Sequence, residues 1–412
     1  MMFLTKKEWK NLARKLRFSP RRRYYVITAI ALAVLFVLVY CSITSSYYCF
    51  DTGVEWKVTK FCQRQGLSGS MCPEFCSRSG VFWDLRCPHP SLEIHHPNRF
   101  QVKRQDTPLT VIQAVPNENY EKLFWVDSYY HKEHYPSEIE YENIVKRYIS
   151  NKYNLEVPYE KIRTLMRLTH KENIPMFHHS MRDSWNLIQN HEFVMAVMFN
   201  ENDLFPYVEG NCAEMFASEK LNAVEFDENR SYFGSHITLD RWRYHIKMAV
   251  LILDYMDELD QHGIQMCHVD LSRFGINNNR LKYDDLRFVF TDYTINRKIS
   301  SGSYCARDEH CNFMHCKSEC NVEKNRCEST VMNNNVQIVC DKIFLGSKRY
   351  PGILITQKTP DRLHMLLERC ANPTQDRDVS RSRPLGTSEE LRKQLYNELT
   401  SIYEKLALIN AP

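Results

Sequence analysis

Between Tyr24 and Ile43 the chain runs for twenty residues without a charge, YYVITAIALAVLFVLVYCSI. A helix of that length rises about 30 Å, the thickness of a bilayer's hydrocarbon layer, so the segment is expected to span a membrane. A cleaved signal peptide has a shorter apolar core ending at a small-residue site, whereas this one runs its full length with Tyr24, Tyr25 and Tyr40 at its ends. On its N-terminal side stand Lys6, Lys7, Lys10, Arg14, Lys15, Arg17, Arg21, Arg22 and Arg23, with Glu8 the only acid. The positive-inside rule then keeps residues 1–23 cytosolic as a basic tail and sends residues 44–412 to the lumenal or extracellular side, a single-pass type II arrangement.

Cysteine usage agrees with that topology, because disulfides persist in the secretory pathway and are rare in the cytosol. Apart from Cys41 in the span, Cys49, Cys62, Cys72, Cys76 and Cys87 form a membrane-proximal group. Cys305, Cys311, Cys316, Cys320, Cys327 and Cys340 form a second group, with Cys212, Cys267 and Cys370 dispersed. The second group lacks the paired Cys-x2-Cys or His-x3–5-His spacing of zinc sites and is expected to form disulfides largely within itself. One sequon, Asn229-Arg230-Ser231, is a glycan acceptor if its loop is accessible; Asn372-Pro373-Thr374 is blocked by proline. The net charge is +4 overall, but the tail alone carries +8 and the rest sums to −4, so the folded part offers no basic face for nucleic acid.

Residues 44–95, rich in Cys, Ser, Pro and Gly, read as a disulfide-stapled stalk. Strands are expected at Leu109–Ala114 and Leu123–Val126, and helices at Ile139–Ser150, Tyr159–Leu168 and Ser184–Phe199. Short strands Phe205–Val208 and Glu214–Ala217 follow, then a long helix, Leu239–Leu259, ending at His262-Gly263. Next come Met266–Asp270, a polar loop, a turn at Asn277-Asn278-Asn279 and a β run, Leu286–Thr291, ending in Asp292. Helices Pro360–Cys370 and Ser388–Leu408 close the chain. That order is the order of a protein kinase fold: α+β, with an N-lobe at 96–218 and a C-lobe at 219–412 carrying a cysteine-rich insertion at 303–340.

Glu192-Phe193 after Trp185 and Gln189, Gly210-Asn211-Cys212, Met266-Cys267, Phe274-Gly275-Ile276-Asn277, Asp292 and the cysteine row Cys305–Cys327 resemble the divergent protein kinase domain 1 family. Those are cysteine-rich single-pass proteins of the endoplasmic reticulum. The resemblance implies type II topology, a lumenal kinase-like domain and retention by cytosolic arginines, for which Arg21, Arg22 and Arg23 are the candidates; Golgi residence is the alternative.

Kinase chemistry needs a Lys on the nucleotide phosphates, a helix Glu to hold it, a loop Asp near the acceptor hydroxyl, and an Asn and an Asp on the metal. Glu192 is the candidate helix Glu and Asp292 the candidate metal and nucleotide ligand, at the end of its β run. Two registers compete in the loop. His268-Val269-Asp270 read as H-x-D makes Asp270 the base. Alignment on Phe274–Asn277 instead puts His268 at the Asp position and Arg273 at the Asn position, with Asn277 able to substitute only across a bulge. No glycine occurs between Gly80 and Gly210, so there is no Gly-rich phosphate loop, and the nearest lysines to the expected position are Lys122 and Lys132. ATP with Mg2+ or Mn2+ is the cofactor set that the fold implies. Thr169–Ser180 carries a single acid, Glu172, too few for a calcium loop.

Three functions follow: a lumenal pseudokinase or very weak kinase acting through a protein partner, an active secretory-pathway kinase phosphorylating a lumenal protein or glycan, and a type II glycosyltransferase using Asp376-Arg377-Asp378. The last motif sits in a charged, proline-containing stretch that reads better as a solvated linker. The histidine pairs His95-His96, His131/His134 and His178-His179 lack the Cys or carboxylate partners that a metal site requires.

Overall fold

The computed structural model describes residues 51–77, 81–87, 98–114, 121–123, 125–126, 133–168, 178–224, 237–347, 350–373 and 387–409, together with Thr28, Leu32 and Leu35, which are helical. The expected span, Arg21–Arg23, Asn229 and Asp376–Asp378 lie outside these apart from those three positions. Among the described residues no helix is long and apolar enough to cross a membrane.

The chain opens with helices α1 (Asp51–Cys62) and α2 (Cys72–Phe75), then strands β1 (Phe82–Arg86), β2 (Arg99–Arg104) and β3 (Thr107–Gln113). Two short strands, β4 (Trp125–Val126) and β5 (Glu133–His134), precede helices α3 (Glu138–Tyr153), α4 (Tyr159–Leu168), α5 (His178–Ile188) and α6 (His191–Met198). Strands β6 (Val208–Cys212) and β7 (Met215–Glu219) complete an antiparallel sheet in the order β1-β2-β3-β7-β6. The expected helix over 184–199 is thus two helices. Asn190 takes an extended conformation and its side chain accepts from Phe193 N, starting α6 afresh. Glu192 consequently stands in the first turn of α6, where the helix dipole favours a carboxylate.

The sheet has two unlike faces. On the outer one, Val102, Leu109, Val111, Met215 and Ala217 pack against Val54, Val58 and Phe61 of α1 and Met71 and Phe75 of α2. Cys62–Cys76 closes the two helices on each other, and Cys72–Cys212 fixes them to β6. Gly210 has no room for a side chain, since a Cβ would stand 2.6 Å from Ser70 Oγ. The region read as a stalk is therefore a cap on the sheet. Its boundary at 95 also fails, because β1 at 82–86 pairs with β2.

Strand β8 (Asn222–Ala223) leads out of the sheet, and α7 (Leu239–Gln261) opens the second half, burying Trp242, Ile246, Ala249 and Leu253. Strand β9 (Ile264–Met266) follows, then β10 (Phe274–Asn277), β11 (Arg280–Tyr283) and β12 (Val289–Thr291). Strands β8, β10 and β11 form one small sheet, and β12 pairs with β9. The β run expected over 286–291 begins as a 3-10 turn, Leu286–Phe288. Helix α8 (Asp292–Ile299) leads to the cysteine-rich insertion with its hairpin β13 (Cys320–Asn321) and β14 (Arg326–Cys327); α9 (Asn335–Val339), α10 (Asp361–Ala371) and α11 (Glu389–Ile409) finish the chain.

Inside the insertion, Cys305–Cys320 and Cys311–Cys327 build a core made of sulfur alone. The proximity of Cys305, Cys311 and Cys320 sulfurs, which resembles a metal site, is accounted for by those disulfides. The remaining two cysteines of the group bond outside it: Cys316 to Cys267 and Cys340 to Cys370.

Candidate active site

The inner face of the sheet looks onto α6 and the second half. Antiparallel partners share a face, so Arg99, paired with Ile112, lies on this side with Phe216, which packs edge-on against Phe193 of α6. The Arg99 guanidinium donates to Glu192 Oε2 at 2.5 Å and to the Asp284 carbonyl at 2.8 Å, and stands 3.6 Å from the Asp284 carboxylate. Arg99 is 4% exposed. Burial opposes its charge, and the carboxylates of Glu192, Asp284 and Asp285 more than restore it, holding the guanidinium above its ordinary pKa. The cation facing Glu192 therefore comes from β2. Lys122 is exposed and Lys132 lies outside the described residues. Gln189 instead clamps the neighbouring Glu121 backbone, accepting from its N–H and donating to its carbonyl.

Asp284 and Asp285 follow β11 directly. Asp285 is 2% exposed and receives both Nε and a terminal nitrogen of Arg287, at 2.8 and 2.7 Å. Burial alone would raise its pKa, but the guanidinium groups of Arg287, Arg99 and Arg273 hold its carboxyl well below the usual range. Arg273, 8% exposed, stands 3.8 Å from the other Asp284 oxygen and accepts from Asp284 N through its carbonyl. Three carboxylates and three guanidinium groups thus meet between the lobes. A second polar set lies at the exit of β7. Lys282, 1% exposed, contacts Glu219 and Asp203 at 2.5 Å each, Asn277 donates its amide to Glu219, and Lys220 reaches across to Gln101 of β2 at 2.9 Å. The backbone is tight here too, since a Cβ on Gly275 would stand 2.5 Å from Leu221 Cβ.

Asp270 is exposed, and its carboxylate caps the turn Leu271–Arg273 by accepting from Ser272 N and Oγ at 3.0 and 2.9 Å. Its N–H is held by Tyr283 Oη, which donates to the His268 carbonyl. The His268 ring stacks on His315 of the insertion, centroids 5.0 Å apart, and the Cys267–Cys316 bond locks the two loops together. Burial, with His268 and Lys342 adding, lowers the His315 pKa to about 4, so it is neutral.

Asp292 belongs elsewhere. It begins α8, its N–H donates to Gly263 O, its carboxylate lies beside Gly263, and burial raises its pKa. None of its described contacts involves Glu192, Arg99 or Asp270. The physical reason is strand order: the run that ends at Asp292 pairs with β9, whereas the loop facing Glu192 comes one strand earlier, after β11. Sequence reasoning missed Asp284 and Asp285, which follow a short alternating strand, Arg280-Leu281-Lys282-Tyr283, after a turn at Asn278-Asn279 with positive φ at both. Arg99 carried no signal in the sequence.

Residues 184–373 match the family model described as the protein-kinase domain of FAM69, and residues 16–168 match the one described as the N-term cysteine-rich ER region of FAM69. The chain belongs to the FAM69 family, that is, divergent protein kinase domain 1. It therefore carries a protein-kinase-like domain behind a cysteine-rich region that the family description associates with the endoplasmic reticulum. Among solved structures, the crystal structure of the BubR1 kinase domain is similar at 11% identity over 79% of this chain and 82% of that one, with a TM-score of 0.33. At that distance the likeness says nothing about individual site residues.

Proposed function

We propose that this FAM69 domain is a pseudokinase of the secretory pathway, anchored by Tyr24–Ile43 with its kinase-like part in the lumen, and acting by binding a protein partner. The observation that carries the reading is the use already made of the cleft's carboxylates. Phosphoryl transfer depends on cations that neutralise the phosphates and on carboxylate or amide oxygens that hold those cations. Here Asp285 is bound bidentately by Arg287, Asp284 lies between Arg99 and Arg273, and Arg273 occupies one of the two registers of the metal-binding Asn. This donor set does not fit Mg2+ or Mn2+, because a divalent ion would have to displace guanidinium groups and then sit among them. The Lys220–Gln101 contact and the fit of Leu221 on Gly275 also narrow the space beside the β7 exit.

Endoplasmic-reticulum residence, supported by the family description and by disulfide bonding of the described cysteines, completes the reading. Two observations favour an active kinase instead: Asp270 remains exposed on its loop, and Glu192 does hold a cation. Radiolabelled transfer from ATP by protein made in oxidising cells separates the two. The pseudokinase reading expects no incorporation above that of Asp270→Ala. Robust transfer abolished by Asp270→Ala, in a variant that still folds, would establish the active kinase with Asp270 as base.

A further inference from the structure

The free edge of the sheet shows a second use for the cap. Strand β6 is the last in the order β1-β2-β3-β7-β6, and residues 66–71, between α1 and α2, run along that edge. Met71 N donates to Asn211 O at 2.9 Å and Asn211 N donates to Ser70 Oγ at 3.3 Å. Ala213 N, in the tight turn after β6, donates to Ser68 O at 2.6 Å. Gly69 has positive φ, and a Cβ there would stand 2.5 Å from Asn211 O. Arg64, just before this segment, pairs with Glu214 of the same turn. The segment is thus a strap that closes an edge whose backbone groups would otherwise stand unpaired.

The strap continues past the edge. Ser68 N and Oγ both donate to Asp183 Oδ2, at 3.4 and 3.1 Å, and Asp183 belongs to α5. That helix lies on the other side of the sheet, where Met181, Trp185, Leu187 and Ile188 share a core with Ile112 and Phe216 of the inner face. Asp183 is 4% exposed, and a buried carboxylate is costly unless donors face it. Its described hydrogen bonds come from Ser68, while Arg182 Nε stands 3.9 Å from its other oxygen. From α5 the chain passes to α6 without slack. Gln189 N donates to Trp185 O and Asn190 N to Leu187 O, and Asn190 then caps the helix that carries Glu192. The cap therefore grips both carriers of the buried ion pair, the sheet that bears Arg99 and the helices that bear Glu192. In kinases the corresponding pair closes only when its helix is correctly placed.

We infer that the cap positions Glu192: the strap, fastened to the sheet at β6 and to α5 at Asp183, holds the α5–α6 unit where Glu192 meets Arg99. Asp183 is a positioning residue, since none of its described contacts involves Arg99 or Glu192. The inference holds whether or not the cleft transfers phosphate.

Full-length protein made in oxidising cells is unfolded in denaturant, and unfolding constants are compared for wild type, Asp183→Ala, Glu192→Gln and the double variant. Independent sites have effects that multiply to within about twofold. The expected result is that Glu192→Gln raises the unfolding constant at least about threefold less in the Asp183→Ala background than in wild type, because the pair is already displaced there. Effects that multiply as independent factors would overturn the inference. Should Asp183→Ala fail to fold, Ser68→Ala, which keeps the backbone donor, carries the same cycle. Native-state hydrogen exchange reads the placement directly. Amides of His191–Met198 are expected to exchange faster in Asp183→Ala, or in Ser68→Ala, while those of Leu239–Gln261 keep their wild-type rates. Asp183→Asn, which keeps an acceptor for Ser68, is expected to restore wild-type exchange in α6. Faster exchange confined to the strap and α5, or an Asp183→Asn variant that exchanges as Asp183→Ala does, would overturn the inference.

Discussion

One sheet carries two surfaces of opposite chemistry. Its outer face is covered by apolar side chains from α1 and α2 and fastened by Cys72–Cys212; its inner face meets α6 through a buried guanidinium and a ring of acids. The outer contact gains from area removed from water and tolerates small changes of shape. The inner one depends on pairing: each charge is affordable only while its partners remain, and removal of one leaves the others uncompensated. Here the carboxylates of Glu192, Asp284 and Asp285 lie against the guanidinium groups of Arg99, Arg273 and Arg287.

The comparison is sharpest at Arg99. Arg99→Ala strips Glu192, Asp284 and Asp285 of a shared cation and is expected to cost about 3–5 kcal/mol in denaturant unfolding, whereas replacing the pair together, Arg99→Met with Glu192→Leu, is expected to recover much of that loss. A double variant no more stable than Arg99→Ala would show that the inner face is not held by pairing. On the outer face, Leu109→Ala, at a site 1% exposed, is expected to cost about 3 kcal/mol through transfer and cavity terms, with no rescue by changing any charge.

A pH measurement gives a smaller effect. His191 packs between Tyr153 and Phe290, and its Nε2–H donates to Val289 O at 2.6 Å. Burial, aided by Lys152 and Lys298, lowers its pKa to about 4. Its folded value lies below the unfolded one, so its contribution is complete above pH 6.5 and is lost as pH falls toward 4, about 2 kcal/mol of it between pH 6.5 and 5. His315 acts in the same direction. Asp260 opposes both: burial raises it to about 6, so its contribution is present at low pH and lost as pH rises through 6. Comparison of stability–pH slopes in wild type and His191→Phe removes the Asp260 part, and an unchanged slope would contradict the assignment. The smallest effect is expected from Asp270→Ala, which removes only an exposed cap on a 3-10 turn and should shift stability by under about 1 kcal/mol.

Much of the fold was legible because its periodicities are local. Helix α4 was expected at Tyr159–Leu168 and lies there, and α10 and α11 begin within one residue of the positions read from their apolar spacing. The split at Gln189-Asn190 was hidden, since apolar residues continue through it and only the Asn190 cap marks the break. The cap was misread as a stalk because a covering layer borrows its core from the surface beneath it, and Val54, Val58 and Phe61 show no partner in sequence. The site was the least legible part. Its charges come from four separate stretches, at Arg99, Glu192, Arg273 and Asp284–Arg287, and only pairing across strands brings them together. Two cysteines of the second group left it, Cys316 for Cys267 and Cys340 for Cys370, for the same reason: tertiary distance is not sequence distance.

The central claim is that the cleft's carboxylates are already neutralised by arginine. Titration of the purified protein with ATP, with and without Mg2+ or Mn2+, followed by calorimetry and by thermal shift, tests it most directly. The account predicts no saturable heat and no metal-dependent rise in melting temperature. Saturable metal-dependent ATP binding that is lost in Asp285→Ala would contradict it.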